Sequence, residues 1–325
     1  MEFFRSTNID WLSKKWYLLA FSLIFSIGGV LSMLFWHGIP KGVDFTGGTQ
    51  VTVHFDTTPN EDHIRSAMDT AKVRDARIQR ISGAAGASSS NVIISLPMSS
   101  AQDTQHDQGR AEVESALTAN YHDSHFEVEQ VDIVGPTAGK QLVSQAQLAV
   151  LYSLLGMLAY LWFRFELIYG VAAVAAVFHD TLITIGAFSL TNQEISLTVV
   201  AALLTLIGYS MNDTIVVFDR IRENLADNRR EPLADVVNRA INQTLSRTVL
   251  TSGLTFLTVL CLYLFGGEVL HGFSFALVIG ILIGTYSSIA VAAPMLVAYQ
   301  NWRASKGKSA SLPAAKPTAP RPTTR

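Results

Sequence analysis

Cysteine is nearly absent from the sequence, since Cys261 is the only one among 325 residues. A single cysteine excludes an intrachain disulfide and, with it, the small disulfide-stapled folds. The sequence also lacks an excess of charge of one sign, because 24 basic residues are balanced by 26 acidic ones. No basic stripe with interleaved aromatic residues occurs, so we expect no nucleic-acid partner.

The signatures of common enzymes are missing as well. The sequence contains no phosphate-cradling glycine loop followed by Lys-Ser/Thr, no pair of thiols and no Ser/His/Asp set. Apart from His179, the apolar segments contain no histidine at the spacing of metal ligands, so we expect no metal site. These absences predict a protein that is not an enzyme and carries no cofactor.

Long apolar runs dominate what is present. Six windows approach or exceed the roughly 20 residues that span a bilayer: 16–36, 142–163, 167–190, 196–218, 248–265 and 273–298. The first is longer than the roughly 7–15 apolar residues of a secretory signal, and no small-x-small cleavage site follows it. The sequence therefore predicts a polytopic α-helical membrane protein with six transmembrane helices, the first of them uncleaved.

The basic residues predict the orientation of these helices. Sixteen of the 24 lie in 1–15, at Arg164, in 219–247 and after 298, whereas the short loops 191–195 and 266–272 contain none. By the positive-inside rule both termini are cytoplasmic. We expect 219–247 to form a cytoplasmic amphipathic helical hairpin, broken at Glu231-Pro232. Two interpretations stay open: the hairpin lies along anionic membrane lipids, or it is a solvated connector. The tail 299–325 is expected to be disordered.

Residues 37–141, between the first two windows, are predicted to form one external domain. Alternating and helical patterns occur in the order β-α-β-β-α-β, which is the split βαβ, ferredoxin-like arrangement. The predicted strands are 49–55, 76–82, 91–96 and 125–134, and the predicted helices are 59–72 and 101–120. We expect an α+β ferredoxin-like domain on the periplasmic side.

Glycines mark both junctions of this domain with the membrane segments. In "GVDFTGGTQV" (42–51) the pair Gly47-Gly48 permits positive φ, and the simplest interpretation is a bulge that leads into the first strand. In "VGPTAGKQL" (134–142), Gly135-Pro136 predicts a rigid exit into the second span. We hypothesise that the domain tilts as a unit about these ends.

Two acids, Asp180 and Asp213, interrupt the third and fourth windows. A carboxylate at the centre of a membrane helix costs about 2.5–3.5 kcal/mol, so such residues face a protein interior or a water-filled path. Polar residues share their helical faces or form a stripe on the fifth window: Thr184, Thr205, Tyr209, Ser210, Arg247, Thr251, Thr255 and Thr258. We expect these faces to meet in one interior.

The two acids are predicted to lie at different depths in the membrane. Counted from the window ends at 1.5 Å per residue, Asp213 lies roughly 8 Å and Asp180 roughly 20 Å from the cytoplasmic side. Arg247 is then level with Asp213, and an Asp–Arg pair that separates would invite proton uptake, as in a proton relay. The alternative is that Arg247 only follows the positive-inside rule while Asp213 reaches to the interface.

Asp180 follows His179, and we favour a buried hydrogen bond between helices over a relay for this pair. Two aspartates on consecutive spans also suggest an intramembrane aspartic protease, which needs both carboxylates at one water. The depth difference of about 12 Å and the absence of Gly-x-Gly-Asp argue against it.

Several motifs together resemble the SecD/SecF family of bacterial protein export, and within it the SecF subunits, which are related to the resistance-nodulation-division transporters. The similarity covers about residues 8–300. The motifs that carry it are "GVDFTGGTQV" (42–51), "VGPTAGKQL" (134–142), "FHDTLITIGAFSL" (178–190), "LIGYSMNDTIVVFDRIREN" (206–224) and "INQTLSRTVLTSGLT" (241–255).

The resemblance implies a subunit in the bacterial inner membrane that works with SecD, the SecYEG channel, YajC and the translocating preprotein, driven by the proton-motive force. It implies H⁺ as the coupling ion, a relay of Asp213 and Arg247, with Asp180 less clearly involved, and a family motif at Phe45, Thr46, Gly47 and Gly48. The alternative is a stand-alone half-transporter that exports a lipid or a small molecule.

Overall fold

The structure is a computed structural model that describes residues 7–73, 76–80, 90–97, 108–165, 167–227 and 231–306. Its elements in chain order are α1 (Lys15–Phe35), α2 (Val43–Thr46), β1 (Gly48–Phe55), α3 (Glu61–Thr70), β2 (Arg77–Arg80), β3 (Asn91–Pro97), α4 (Gln108–Asn120), β4 (Phe126–Val134), α5 (Pro136–Arg164), α6 (Leu167–Thr191), α7 (Leu197–Asp227), α8 (Leu233–Phe265), α9 (Gly267–Ser287), a π-helical turn (Ser288–Ala292) and α10 (Ala293–Ser305).

Six helices in the described part of the chain are long and apolar enough to cross a membrane. They are α1, α5, α6, α7, α8 and the continuous rod formed by α9, the π turn and α10. Large apolar side chains cover the outside of this bundle, as Phe163 at 93% exposure illustrates. Such a surface suits a hydrocarbon environment, and the prediction of a polytopic helical membrane protein is confirmed.

Two of these helices extend well beyond the predicted windows. Helix α7 continues to Asp227, and α8 already begins at Leu233. The chain therefore does not turn at 218 or 247 to lie along a membrane surface, and the expected surface hairpin is wrong in this respect. Its two helices instead prolong the axes of α7 and α8, because the helix-breaking proline stands only at Pro232, just before α8.

The segment before α1 packs against the prolonged part of α8. The Asn242 side chain accepts a hydrogen bond from the Ile9 amide at 3.0 Å, and Asn238 accepts one from the Trp11 amide at 2.8 Å. At the other end of the chain, α10 runs to Ser305. Residues 299–305 are thus helical rather than disordered, and 307–325 lie outside the described residues.

The four strands form one antiparallel sheet in the order β2-β3-β1-β4. Strands β1 and β2 run parallel to each other with β3 between them, and β1 lies between β3 and β4. Helices α3 and α4 pack against each other and share a core with the strands, which includes Val53, Phe55, Ile64 and Leu117. We call residues 48–134 the sheet domain. Parts of the predicted elements, 81–82 and 101–107, lie outside the described residues.

Candidate functional site

Asp180, near the middle of α6, is completely buried and fully hydrogen-bonded. Its Oδ2 accepts hydrogen bonds from the Ser210 hydroxyl of α7 at 2.6 Å and from the Ser287 hydroxyl of α9 at 2.7 Å. Its Oδ1 lies 2.9 Å from Nδ1 of His179. Three helices therefore supply the polar groups that offset the burial of this carboxylate.

Asp213 lies near the middle of α7 and is only 2% exposed. The Ser252 hydroxyl of α8 donates to its Oδ2 at 2.6 Å, and the Thr285 hydroxyl of α9 lies 3.5 Å from the same oxygen. The second carboxylate is thus held by α8 and α9. Together the hydrogen bonds of the two acids connect α6, α7, α8 and α9 inside an apolar bundle.

The two acids lie at nearly the same level, and the predicted depth difference of about 12 Å is wrong. Ser210, which binds Asp180, precedes Asp213 by three residues on α7, an axial rise of about 4.5 Å. The prediction failed because it measured depth from a span end near 218, whereas α7 continues to Asp227. Depth therefore no longer argues against a shared role for the two acids.

Glycines allow α9 to approach α7 closely enough to make these contacts. A Cβ added at Gly284 would lie 2.9 Å from Cβ of Ser210, and one at Gly280 would lie 2.5 Å from a side-chain carbon of Leu206. Small residues at a helix interface permit such close backbone approach in membranes. The π-helical turn begins directly after Ser287, and π turns inside α-helices frequently mark functional sites.

The polar face of α8 is not the predicted one. Thr251 and Thr258 are exposed, and their hydroxyls bond to carbonyl oxygens of their own helix. The face that meets Asp213 carries Ser252, and Thr248 is buried one turn away. Both stripes have helical spacing, so periodicity does not distinguish them, and only the packing of α8 against α7 and α9 does.

Arg247 lies on the exposed side of α8 and forms no ion pair with Asp213 in this structure. Ser252 takes the position next to the carboxylate that the sequence assigned to the guanidinium. The predicted buried hydrogen bonds between helices are those of Asp180 to Ser210 and Ser287. The contact of His179 with Asp180 lies within α6, and the His179 Nε2 is buried without a partner among the described residues. Within those residues, no group of three or more His, Cys, Asp or Glu could hold a metal ion.

The glycine pair between α2 and β1 adopts the backbone conformations that the sequence predicts. Gly47 has φ of 72° and Gly48 has φ of 142°, and a Cβ at Gly48 would lie 2.1 Å from the carbonyl oxygen of Leu96. Gly139, in the first turns of α5, passes close to this turn, since its Cβ would lie 3.0 Å from the Phe45 carbonyl oxygen. Phe45 is buried against the bundle core. Thr46 closes α2 by donating to the Gly42 carbonyl.

The other junction is short, because Gly135 alone separates β4 from Pro136, the first residue of α5. The segment that leads into the sheet domain is also held by the loop between α6 and α7. Gly42 and Ile195 form a backbone hydrogen bond of 2.9 Å, and the Asp44 carboxylate accepts one of 2.8 Å from the Leu197 amide at the start of α7.

Side chains of the sheet reach the same loop. The Ser95 hydroxyl of β3 donates to Glu194 at 3.2 Å, and the Gln79 side chain of β2 donates to the Asn192 carbonyl at 2.8 Å. Burial at this contact raises the pKa of the Glu194 carboxyl, while the hydrogen bond from Ser95 opposes the rise. The domain therefore rests on the bundle through a contact that includes one half-buried acid, Glu194, which sequence reasoning missed.

Comparison with known proteins places these features in a family. Residues 113–302 match the family model described as "Protein export membrane protein SecD/SecF, C-terminal", and residues 35–59 match the "SecD/SecF GG Motif". The first range contains both acids with all their hydroxyl partners. The second contains Gly47 and Gly48.

Individual relatives agree with the family models. The chain is 51% identical to the protein translocase subunit SecF of Koribacter versatilis, with 98% of each chain covered. It is 42% identical to that of Desulfurispirillum indicum, with 90% of this chain and 92% of the relative covered.

Among solved structures, the chain matches SecDF, a translocon-associated membrane protein from Thermus thermophilus, with a TM-score of 0.79 and 36% identity. That match covers 91% of this chain and 39% of the longer SecDF chain. The resemblance seen in the sequence motifs is thereby confirmed, and the chain belongs to the SecD/SecF family of protein export membrane proteins.

Proposed function

We propose that the chain is a SecF-type subunit which, together with a SecD-type partner, uses the proton-motive force to promote protein translocation across the bacterial inner membrane through SecYEG. YajC and the translocating preprotein complete the set of partners. The names of its relatives, protein translocase subunit SecF and SecDF, support the protein-export role and the SecD partner. The coupling ion in this proposal is H⁺, and the chain itself is not an enzyme.

The observation that carries the proposal is the burial of Asp213 among hydroxyl groups from two other helices. An ionised carboxylate only accepts hydrogen bonds, whereas a protonated one also donates. Proton uptake at Asp213 therefore changes whether the Ser252 and Thr285 hydroxyls donate or accept the hydrogen bond to the carboxyl group. This change alters the contact of α7 with α8 and α9. Asp180 offers a second acid, joined to α7 through Ser210.

The energy available matches such a switch. One charge that crosses a potential of 100 mV releases about 2.3 kcal/mol. That amount shifts a two-state equilibrium roughly fifty-fold. It is enough to bias the orientation of a domain whose resting contact consists of a few hydrogen bonds.

In this proposal, Arg247 acts on Asp213 once the partner subunit covers it. Its side chain lies on the exposed face of α8, near Leu254 and Leu257, which are 67% and 57% exposed. A SecD-type bundle that covers this face would exclude solvent and lipid from Arg247 and strengthen its action on Asp213. The relay of Asp213 and Arg247 is then assembled at the boundary between the two subunits.

The sheet domain is, in this proposal, a periplasmic ferredoxin-like domain that tilts against the bundle, with both chain termini cytoplasmic. The strand order β2-β3-β1-β4 and the element order β-α-β-β-α-β support the ferredoxin-like assignment. The contact with the loop between α6 and α7 would be one end state of the motion. Gly47, Gly48 and Gly135 lie where the backbone would bend.

An intramembrane protease is the less favoured alternative. Each acid accepts hydrogen bonds from its own pair of hydroxyls, Ser210 and Ser287 for Asp180, Ser252 and Thr285 for Asp213. A protease dyad would instead share one water or proton between the carboxylates. A half-transporter for a lipid or small molecule differs from the proposal in its cargo.

The decisive experiment replaces Asp213 with Asn in the chain reconstituted with its SecD-type partner and SecYEG. Proton flux and preprotein translocation driven by an imposed proton-motive force are measured on the same vesicles. We expect both to fall to background, with full activity retained in Asp219→Asn, a matched variant at an exposed acid of the same helix. Wild-type rates of both processes in Asp213→Asn would show that the relay assignment is wrong. Proton flux lost without any effect on translocation would favour another cargo.

A further inference from the structure

A cavity of about 350 Å³ opens on the side of the bundle between α8, α9 and the segment that leads into α1. Its volume lies within the range of about 300–1,000 Å³ that is usual for ligand sites. The described residues of the lining carry no charged side chain. Trp11 and Leu18 form one wall, and Gly253 lies in the opposite wall on α8.

Two hydrogen-bond donors in the lining have no partner among the described residues. The Thr248 hydroxyl belongs to a residue that is only 3% exposed, and neither this oxygen nor the indole nitrogen of Trp11 makes a hydrogen bond within the described part of the chain. A buried donor without an acceptor costs stability, so native structures rarely leave one unpaired. The cavity therefore suits an apolar ligand that brings one or more hydrogen-bond acceptors to the end lined by Thr248 and Trp11.

Positive charge stands beside the same end. Trp11, Lys14, Lys15 and Leu18 are spaced at i, i+3, i+4 and i+7, and the backbone hydrogen bonds from Lys14 to Trp11 and from Leu18 to Lys14 continue the helical turn. Residues with this spacing share one helix face. The two lysines stand between Trp11 and Leu18 in the chain but outside the lining itself, and the Lys15 ammonium lies 5.9 Å from the centre of the Trp16 ring. Tryptophan with lysine at a helix end is typical of the level of lipid headgroups.

We propose that this cavity binds one acyl chain of an anionic phospholipid. The chain fills the apolar body of the cavity, the ester oxygens accept hydrogen bonds from Thr248 and Trp11, and the phosphate lies near Lys14 and Lys15. Ser252 and Thr285, which hold Asp213, form the inner wall. The bound lipid therefore contacts two residues whose hydroxyls hold Asp213.

Trp11 provides a probe inside the site. The chain has five tryptophans, and Trp16→Phe, Trp36→Phe, Trp162→Phe and Trp302→Phe leave Trp11 as the only one. The full chain is placed in phosphatidylcholine vesicles that contain increasing fractions of either dibrominated phosphatidylglycerol or dibrominated phosphatidylcholine. We expect half-maximal quenching of Trp11 fluorescence at a fraction of the anionic lipid that is about fivefold lower for each lysine that reaches the headgroup.

Two variants test the site itself. Gly253 has open space where a Cβ would stand, so Gly253→Phe fills the cavity and should abolish the preference for phosphatidylglycerol. Gly156→Phe, at an open glycine on α5, is the matched control and should retain it. The double variant Lys14→Gln, Lys15→Gln should make both lipids quench equally. Thr248→Val, which replaces the hydroxyl with a methyl group, should weaken the preference for phosphatidylglycerol. It tests the site even if Gly253→Phe does not fold.

Other results would overturn the proposal. Equal quenching by both lipids in the unmodified single-tryptophan chain would mean contact with bulk lipid only. Absence of quenching by either lipid would mean that protein covers the cavity, either this chain or a partner subunit. A preference that survives in Gly253→Phe and in Thr248→Val would place the anionic lipid elsewhere on the surface.

Discussion

The Ser210 hydroxyl donates a hydrogen bond of 2.6 Å to the carboxylate of Asp180. The same helix, α7, carries Asp213 three residues later. A displacement of α7 that moves Asp213 must therefore break or carry along the bond to Asp180. The two buried acids behave as one mechanical unit, although the sequence places them on different spans.

Removal of the Ser210 hydroxyl should weaken this unit. Ser210→Ala leaves a buried carboxylate with one donor fewer, which should lower the free energy of unfolding by about 1–3 kcal/mol. Denaturant titration of the purified chain in detergent measures the loss. Thr205→Val on the same helix is the control, because Thr205 is exposed and its hydroxyl bonds only to the carbonyl of Ala201. Equal losses in both variants would contradict the role assigned to Ser210.

The contact between α1 and α6 should depend on a pair of glycines. A Cβ at Gly29 would lie 2.9 Å from Cα of Gly186, so Gly29→Ala forces the helices apart. We expect a loss of about 1–3 kcal/mol, as is usual for overpacking. Gly28→Ala is the neighbouring control, since nothing lies within 4 Å of its Cβ position. Thermal melts of the two variants measure the difference, and identical melting temperatures would show that α1 is not packed as described.

Gly48 should tolerate no side chain. Its φ of 142° and the Leu96 carbonyl oxygen at 2.1 Å from an added Cβ both oppose alanine. Strain of this kind costs about 1–3 kcal/mol before the clash is counted. Gly48→Ala should therefore open the sheet domain to limited proteolysis.

The control for that experiment is Gly135→Ala at the other junction. Gly135 has φ of −70° and nothing within 4 Å of its Cβ position. Its cleavage rate should remain close to that of the unmodified chain. Similar protection of the sheet domain in both variants would contradict a steric requirement for glycine at Gly48.

Glu194, the half-buried acid at the domain contact, should make stability depend on pH. Burial raises the pKa of Glu194 in the folded chain, so the folded state binds a proton more readily than the unfolded state. Stability is therefore gained when Glu194 is protonated and is lost as pH rises from the ordinary glutamate pKa through the raised value.

Melting temperatures across this pH range measure the effect. Glu194→Gln resembles the protonated form, so the unmodified chain should approach the variant in stability at low pH and fall below it as pH rises. Glu112→Gln, at an exposed acid of α4, is the control and should show no such change in the difference. A gap between the unmodified chain and Glu194→Gln that stays constant with pH would contradict a contribution of Glu194 ionisation.

Local sequence alone determined much of this protein. Long apolar runs specify membrane helices because burial in lipid requires nothing beyond composition and length. The adjacent glycines Gly47 and Gly48 predict a turn with backbone angles that favour glycine. The motifs around Asp180 and Asp213 identify the family. Each of these features depends on a few consecutive residues.

The tertiary structure decided which side chains donate hydrogen bonds to Asp180 and Asp213. Thr251 and Ser252 are adjacent in sequence, yet only Ser252 meets Asp213, because the rotation of α8 about its axis is set by its packing on α7 and α9. The common level of Asp180 and Asp213 follows from the continuation of α7 to Asp227 and from the close approach at Gly284. Such rotations and offsets depend on contacts between residues far apart in the chain, and periodicity along one helix contains no information about them.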